Sequence, residues 1–122
     1  MSTLSKEQAL SDATEAVIRF HREQQGHAPR RSRASLVKDM FVVHSEGVFT
    51  PTEESLVDTH EGRKLVQSAR REQRALTRRQ IEAEVGYALG CQVLRSFYDL
   101  DVRDGQQLEV YMLDQNLENR LS

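Results

Sequence analysis

The chain has one cysteine, two prolines, no tryptophan and no long apolar run among its 122 residues. A lone cysteine, Cys91, excludes an internal disulfide and favours a reducing compartment. The longest strongly apolar run, residues 40–43, is far shorter than the ~20 residues that a membrane-spanning helix needs. The first nine residues include Lys6 and Glu7 and no apolar segment, so we expect no signal peptide. These absences favour a cytoplasmic protein that does not span a membrane.

Length and composition predict one domain with one core, because 122 residues with 38% hydrophobic content suffice for a single globule. We place this domain at residues 1–114 and a polar C-terminal tail at 115–122. With a net charge of −2, the protein as a whole cannot attract a polyanion through its overall charge alone. The charges are unevenly distributed, with a basic segment at 63–79 and an acidic one at 99–118. Such a distribution suits docking to a charged surface or to a second copy.

Start and stop signals place the secondary structure. Ser5 and Gln8 have the spacing of a capping box, Leu4 can staple onto the first turn, and Gly26 can end that helix. Thr50 and Pro51 start another helix. The remaining patterns predict strands at 32–38, 40–46, 93–98 and 108–113 and a long helix at 63–89. Gly62 is expected to form a weak break between the short helix that starts at Thr50 and this long helix. The order α-β-β-α-α-β-β predicts an α+β domain, an antiparallel sheet of about four strands with helices packed on one face.

The long helix has two contrasting sides. At about 100° per residue, Leu65, Ala69, Leu76, Ala83 and Tyr87 fall on one narrow face. Arginines fall on nearly the opposite face. We therefore expect the apolar face to pack on the sheet and the basic face to lie in solvent. In the last turns Ile81, Val85 and Ala88 continue the basic side as apolar positions, so there we expect the helix to pack on both sides.

Three stretches together resemble a known family. They are residues 17–23 leading into Gly26-His27-Ala28-Pro29, the turn at 47–53, and the closing strand at 108–113. In this element order the chain resembles the MpsC-like family, named for the Na+-translocating membrane-potential-generating system, over about residues 8–114. Members usually carry a Gly-Arg/Lys-Gly-Pro turn where this chain has residues 26–29. The resemblance implies a peripheral accessory, regulatory or assembly protein for membrane partners, and it implies no enzymatic activity.

Arginines repeat along one face of the long helix. Arg70, Arg74 and Arg78 follow one another at four-residue spacing, with Arg63 and Arg71 beside them. Like charges at this spacing repel slightly, so a surface without a partner gains little from the pattern. The functional interpretation is a docking face for an acidic protein patch, anionic headgroups or phosphates. The alternative is a solvated face whose arginines pair with acids of the same chain.

A second basic cluster follows the first helix. Gly26 precedes Arg30, Arg31 and Arg33, and such a turn can bind an anion if the arginines grip phosphate or carboxylate. The alternative is a helix stop followed by a polar entry into a strand.

The sequence favours no catalytic or metal chemistry. The four histidines lack close metal-ligand spacing, and Cys91 near a helix C-terminus is disfavoured as a thiolate. No nucleotide-binding glycine loop or nucleophile motif is present. We therefore predict no enzyme, no cofactor and no metal.

Two functions remain as hypotheses. The first is a non-enzymatic accessory protein that resembles MpsC and acts by protein–protein contact, as a homodimer, near a membrane ion-translocating system. The alternative is a nucleic-acid-binding domain that uses the arginine-rich helix face. The latter would bind in a strongly salt-dependent way.

Overall fold

The computed structural model describes residues 5–120, and in this range it has four helices and four strands. The helices are α1 (Lys6–Gln25), α2 (Pro51–Leu56), α3 (His60–Leu89) and α4 (Leu117–Arg120), and the strands are β1 (Arg31–Val37), β2 (Met40–Glu46), β3 (Val93–Asp101) and β4 (Gln106–Leu113). The predicted α+β class and the order α-β-β-α-α-β-β are confirmed, with α4 following β4.

The four strands form one antiparallel sheet in the order β1-β2-β4-β3. Two hairpins build it: β1 with β2, and β3 with β4. The first hairpin turns at Lys38, whose φ is 57°, and the second at Asp104-Gly105, where Gly105 has a φ of 68°. β2 and β4 lie in the centre, so residues on these two strands are flanked on both sides by sheet.

The helix ends follow the sequence signals. The Ser5 hydroxyl accepts a hydrogen bond from the Gln8 amide at 3.1 Å, and Gly26 ends α1 in the left-handed conformation. At α2, Thr50 and Glu53 form a complete capping box. The predicted staple of Leu4 falls outside the described residues.

We expected Gly62 to interrupt the chain before the long helix. Instead, Gly62 lies in the first turn of α3. Its amide donates to the Thr59 hydroxyl at 2.9 Å. A Cβ at this position would lie 1.6 Å from the Leu56 carbonyl oxygen. Glycine therefore allows α2 to pack closely on the start of α3, and the helix begins at His60 rather than Arg63.

The core lies between one face of the sheet and the helices. The main cluster joins α1, α3 and the sheet, and a second cluster lies beneath α2. Leu117 of α4 is fully buried in the main cluster, and Glu118 accepts a hydrogen bond from the Lys38 amide at 2.9 Å. Part of the segment predicted as a tail is thus packed on the domain. No helix in the described part of the chain is long and apolar enough to cross a membrane.

The prediction for the faces of α3 is wrong except in the last turns, where Ile81 and Val85 are buried as expected. Leu65, Leu76 and Tyr87, expected in the core, are 61%, 79% and 90% exposed. We call these three, with the exposed Ala69 and Ala83, the outer stripe. The side turned to the sheet, called here the inner face, consists of Val66, Arg70, Arg74, Ile81, Val85 and Leu89. Helical periodicity alone could not reveal this orientation, because the acidic partners of the two arginines come from other elements.

Candidate functional site

Arg70 lies in the interior and ties α2 to α3. Its side chain is 4% exposed, and its Nε and Nη2 each lie 2.6 Å from an oxygen of Glu53. The same guanidinium donates to the Val48 carbonyl oxygen. Glu53 also accepts a hydrogen bond from the Thr50 amide at 2.9 Å, so one carboxylate serves both the helix cap and the arginine.

The charge of Glu53 is stabilised by these donors. Burial favours its neutral form, but the hydrogen bonds from Arg70 and from the Thr50 amide outweigh that effect and hold the pKa of Glu53 below its ordinary value of 4.5. The Glu53–Arg70 pair is therefore charged at neutral pH.

Arg74 lies one turn further along the inner face and meets a carboxylate of the sheet. Its Nη1 lies 2.7 Å from Oε1 of Glu109, a β4 residue with no solvent exposure. Its guanidinium carbon lies 4.5 Å from the ring centroid of Tyr98 and 5.7 Å from that of Phe20, distances at which cation–π attraction operates. Burial opposes the charge of Arg74, but Glu109 more than offsets this and raises the pKa of the guanidinium.

Glu109 accepts further hydrogen bonds within the sheet. The Tyr111 hydroxyl donates to Glu109 at 2.7 Å, and the side-chain amide of Gln107 donates to it at 3.2 Å. The Tyr98 hydroxyl in turn donates to the side-chain oxygen of Gln107 at 3.2 Å. Burial and the nearby Glu109 charge raise the pKa of Tyr111 well above 10. Both carboxylate oxygens thus have donors, which is what a buried charge requires.

His21 of α1 faces the same interior region. Its Nδ1 lies 2.9 Å from the His27 carbonyl oxygen, and its Nε2 is buried without a hydrogen-bond partner among the described residues. Burial lowers the pKa of His21 below 6.5, and the positive charge of Arg70 lowers it further. We therefore assign the neutral tautomer with hydrogen on Nδ1, which donates to the carbonyl.

A cavity of about 20 Å³ lies between α1, α3 and the sheet, with His21, Arg70, Arg74 and Tyr98 among its lining residues. This volume holds one water-sized molecule and no metabolite. The two ion pairs, Arg70 with Glu53 and Arg74 with Glu109, are therefore a polar part of the core that fixes how α2, α3 and the sheet pack together. Within residues 5–120, no group of three or more His, Cys, Asp or Glu residues is placed to hold a metal ion.

The five arginines of the predicted docking face do not form one surface: some are exposed, and others pair with groups of their own chain. Arg70 and Arg74 are occupied by Glu53 and Glu109 and do not lie on the surface where that hypothesis puts them. Arg71 and Arg78 are exposed, and Arg78 lies 4.0 Å from Glu82 of the same helix. The partly buried Arg63 donates to the Val57 carbonyl oxygen at 3.0 Å. The continuous arginine surface that the nucleic-acid alternative requires is therefore absent from the described length of α3.

The residues of the predicted anion-binding turn do not form one site either. The amide of Gly26 donates to the Arg22 carbonyl oxygen and closes α1, so it does not point at an anion site. Arg30, Arg31 and Arg33 are exposed, and Arg31 and Arg33 lie on β1. Arg31 and Arg33 point to the side of the sheet away from the helices, as the strand register shows.

That second side of the sheet is a surface that sequence patterns did not identify. Its apolar side chains stay exposed or half-buried, and Phe97 is 55% and Leu108 42% exposed. We call it the open face; its apolar part consists of Val37, Met40, Val42, Phe97, Leu108, Val110 and Met112. The open face is basic along β1, through Arg31 and Arg33, while β3 carries Asp99 and Asp101 at one end and Arg95 at the other. The alternation of β4 was a usable signal for it, once the helices were known to cover one side only.

Comparison with known proteins identifies the family. The family model described as "Na+-translocating membrane potential-generating system (MpsC)" matches residues 4–115, which include all four strands and helices α1 to α3. No curated protein and no solved structure matches the chain. The match covers most of the 122 residues and agrees with the resemblance found in the sequence. The chain belongs to the MpsC family.

Proposed function

We propose that this chain is a cytoplasmic, non-enzymatic accessory protein that acts by contact with another protein, a subunit of a membrane ion-translocating system. The observation that carries the proposal is the open face of the sheet. The family description, which refers to a Na+-translocating system, supports the choice of partner.

The open face has the chemistry of a protein-binding surface rather than of a solvated one. Contiguous exposed apolar side chains on a soluble protein are typical of interaction sites. Val110 and Val42 pair across the two central strands, and Phe97 pairs with Val110 on the adjoining strand. A rigid sheet presents these side chains without a cost in loop ordering.

The charges at the two edges define the partner. Arg31 and Arg33 lie along one edge and Asp99 and Asp101 along the other. A matching surface is apolar in its centre, acidic opposite β1, basic opposite Asp99 and Asp101, and acidic opposite Arg95. Such complementarity fixes orientation and excludes wrong partners more than it adds affinity.

In-cell photo-crosslinking tests the proposal. A photo-reactive amino acid at Phe97 should crosslink to an integral membrane protein, whereas the same group at Glu15, exposed on α1, should not. Leu108→Glu should reduce this capture by about 10-fold or more, because it places a charge in the apolar centre. Equal crosslinking from both sites, or crosslinking from Phe97 to nothing but a second copy, would contradict the proposal.

A further inference from the structure

We propose that the outer stripe of α3 is a homodimer interface, in which two copies of α3 pack antiparallel about a two-fold axis at Leu76. This inference does not depend on the proposed function, since the stripe lies on the helix layer and not on the open face. Its carrying observation is a symmetric row of exposed apolar residues with charges placed to match it.

The outer stripe is unusual in its exposure. Leu76 and Tyr87 are 79% and 90% exposed, on a helix whose opposite side is buried. Successive members lie four, seven, seven and four residues apart, which keeps all five within about 40° of one another around the helix. The row spans about 33 Å, at a rise of about 1.5 Å per residue. A seam of this length is long enough to hold a second helix.

The row is symmetric about Leu76. Leu65 and Tyr87 lie eleven residues to either side of it, and Ala69 and Ala83 lie seven. In an antiparallel pair, each large side chain therefore meets a large one and each alanine meets an alanine. Leu76 meets Leu76 of the second copy on the axis. A two-fold interface needs such a self-complementary surface, and the alanines permit a short distance between the helix axes.

Charged residues beside the row fit the same symmetry. Glu72 lies four residues before Leu76 and Arg79 three residues after it. Both lie on the same flank of the stripe, about 40° and 60° from its centre. In the antiparallel pair, Glu72 of one copy lies within about 1.5 Å, along the axis, of the level of Arg79 of the other. Neither side chain has an ion-pair partner among the residues described here.

These two opposite charges select the second copy as the occupant. The two-fold axis creates the Glu72–Arg79 contact twice, once on each side of Leu76. A parallel arrangement would instead place Glu72 beside Glu72. The charge pattern thus specifies direction and register as well as partner.

Sedimentation velocity over a range of concentrations, together with charge exchange, tests the interface. The wild type should dimerise in the micromolar range, and Leu76→Glu should weaken the dimer by about 100-fold, because two carboxylates would meet at the axis. Glu72→Arg and Arg79→Glu should each weaken it by about 10-fold. The double variant Glu72→Arg/Arg79→Glu should restore it, since the exchanged charges again pair across the axis. Unchanged circular dichroism would show that each variant folds.

Three results would overturn the inference. The first is a wild type that stays monomeric up to about 100 µM. The second is a dimer that Leu76→Glu leaves intact but Leu108→Glu abolishes, which would put the second copy on the open face. The third is a double charge-exchange variant that dimerises no better than the single variants. Loss of the membrane-protein crosslink at Phe97 alone would bear on the proposed function and not on this interface.

Discussion

The two sides of α3 differ in burial in the opposite sense from that expected from hydropathy. The inner face buries Arg70 and most of Arg74, whose side chain is 13% exposed, while the outer stripe leaves Leu76 and Tyr87 in solvent. Burial on this helix therefore depends on the availability of partners as well as on hydropathy, since Ile81 and Val85 are buried on the same side as the two arginines. Glu53 and Glu109 come from other elements, and each meets one arginine. The comparison shows that a polar stripe can belong to the core when the surrounding fold supplies its counter-charges.

This difference has an energetic consequence. A buried ion pair adds little net stability, because desolvation offsets most of the attraction between the charges. Removing one member is costly, since it leaves the other buried and unpaired. Changes on the inner face should therefore destabilise strongly, and changes on the outer stripe should barely affect the folding of one copy.

The largest effect is expected from Glu109→Leu. The substitution leaves Arg74 buried without a counter-charge and removes the acceptor of the Tyr111 hydroxyl. We expect the free energy of unfolding in urea to fall by about 3–5 kcal/mol. Glu15→Leu, at an exposed site on α1, should change it by less than about 0.5 kcal/mol. Similar losses for the two variants would contradict the contrast between interior and surface.

A smaller loss is expected from Arg70→Met. It removes the bonds to Glu53 and to the Val48 carbonyl while keeping much of the side-chain volume. Bonds of this charged kind contribute about 2–3 kcal/mol, so unfolding in urea should shift by that amount. Hydrogen exchange at 48–57 should also speed up, because α2 loses its attachment. The matched control is Arg71→Met next to it, which is exposed and should leave both measurements nearly unchanged.

Stability should also depend on pH through His21. Its pKa in the folded protein lies below 6.5, so the unfolded chain binds a proton more readily. This contribution is fully present above pH 6.5 and is lost as the pH falls through the lower folded value. Unfolding measured between pH 7 and pH 5 should therefore show a loss of stability on acidification that His21→Gln reduces. His60→Gln, at an exposed site, should leave the slope as it is.

The smallest effect is expected on the outer stripe. Leu65→Lys and Tyr87→Lys should each change the unfolding free energy of dilute, monomeric protein by less than about 0.5 kcal/mol. The reason is that these side chains contact little of their own chain. A cost of about 2–5 kcal/mol, typical of a core leucine, would place the stripe in the interior and reverse the comparison.

Local sequence signals predicted most of the elements. The Thr50–Glu53 capping box and the turn at Gly105 act within a few residues, so they could be found without the fold. The orientation of α3 could not, because it depends on Glu53 and Glu109, which lie 17 and 35 positions from Arg70 and Arg74 in the chain. The sequence predicted helices on one face of the sheet, but it could not show which strand residues form the open face, since alternation in a strand does not say which side the helices cover.

A double-mutant cycle between Arg74 and Glu109 tests the central claim most directly. Arg74→Met, Glu109→Leu and the pair together should give a coupling energy of at least about 1.5 kcal/mol, because the two side chains contact each other in the interior. The same cycle on the exposed Arg78 and Glu82 should give about 0.3 kcal/mol. Coupling between Arg74 and Glu109 no larger than this surface value would contradict an inward-facing arginine.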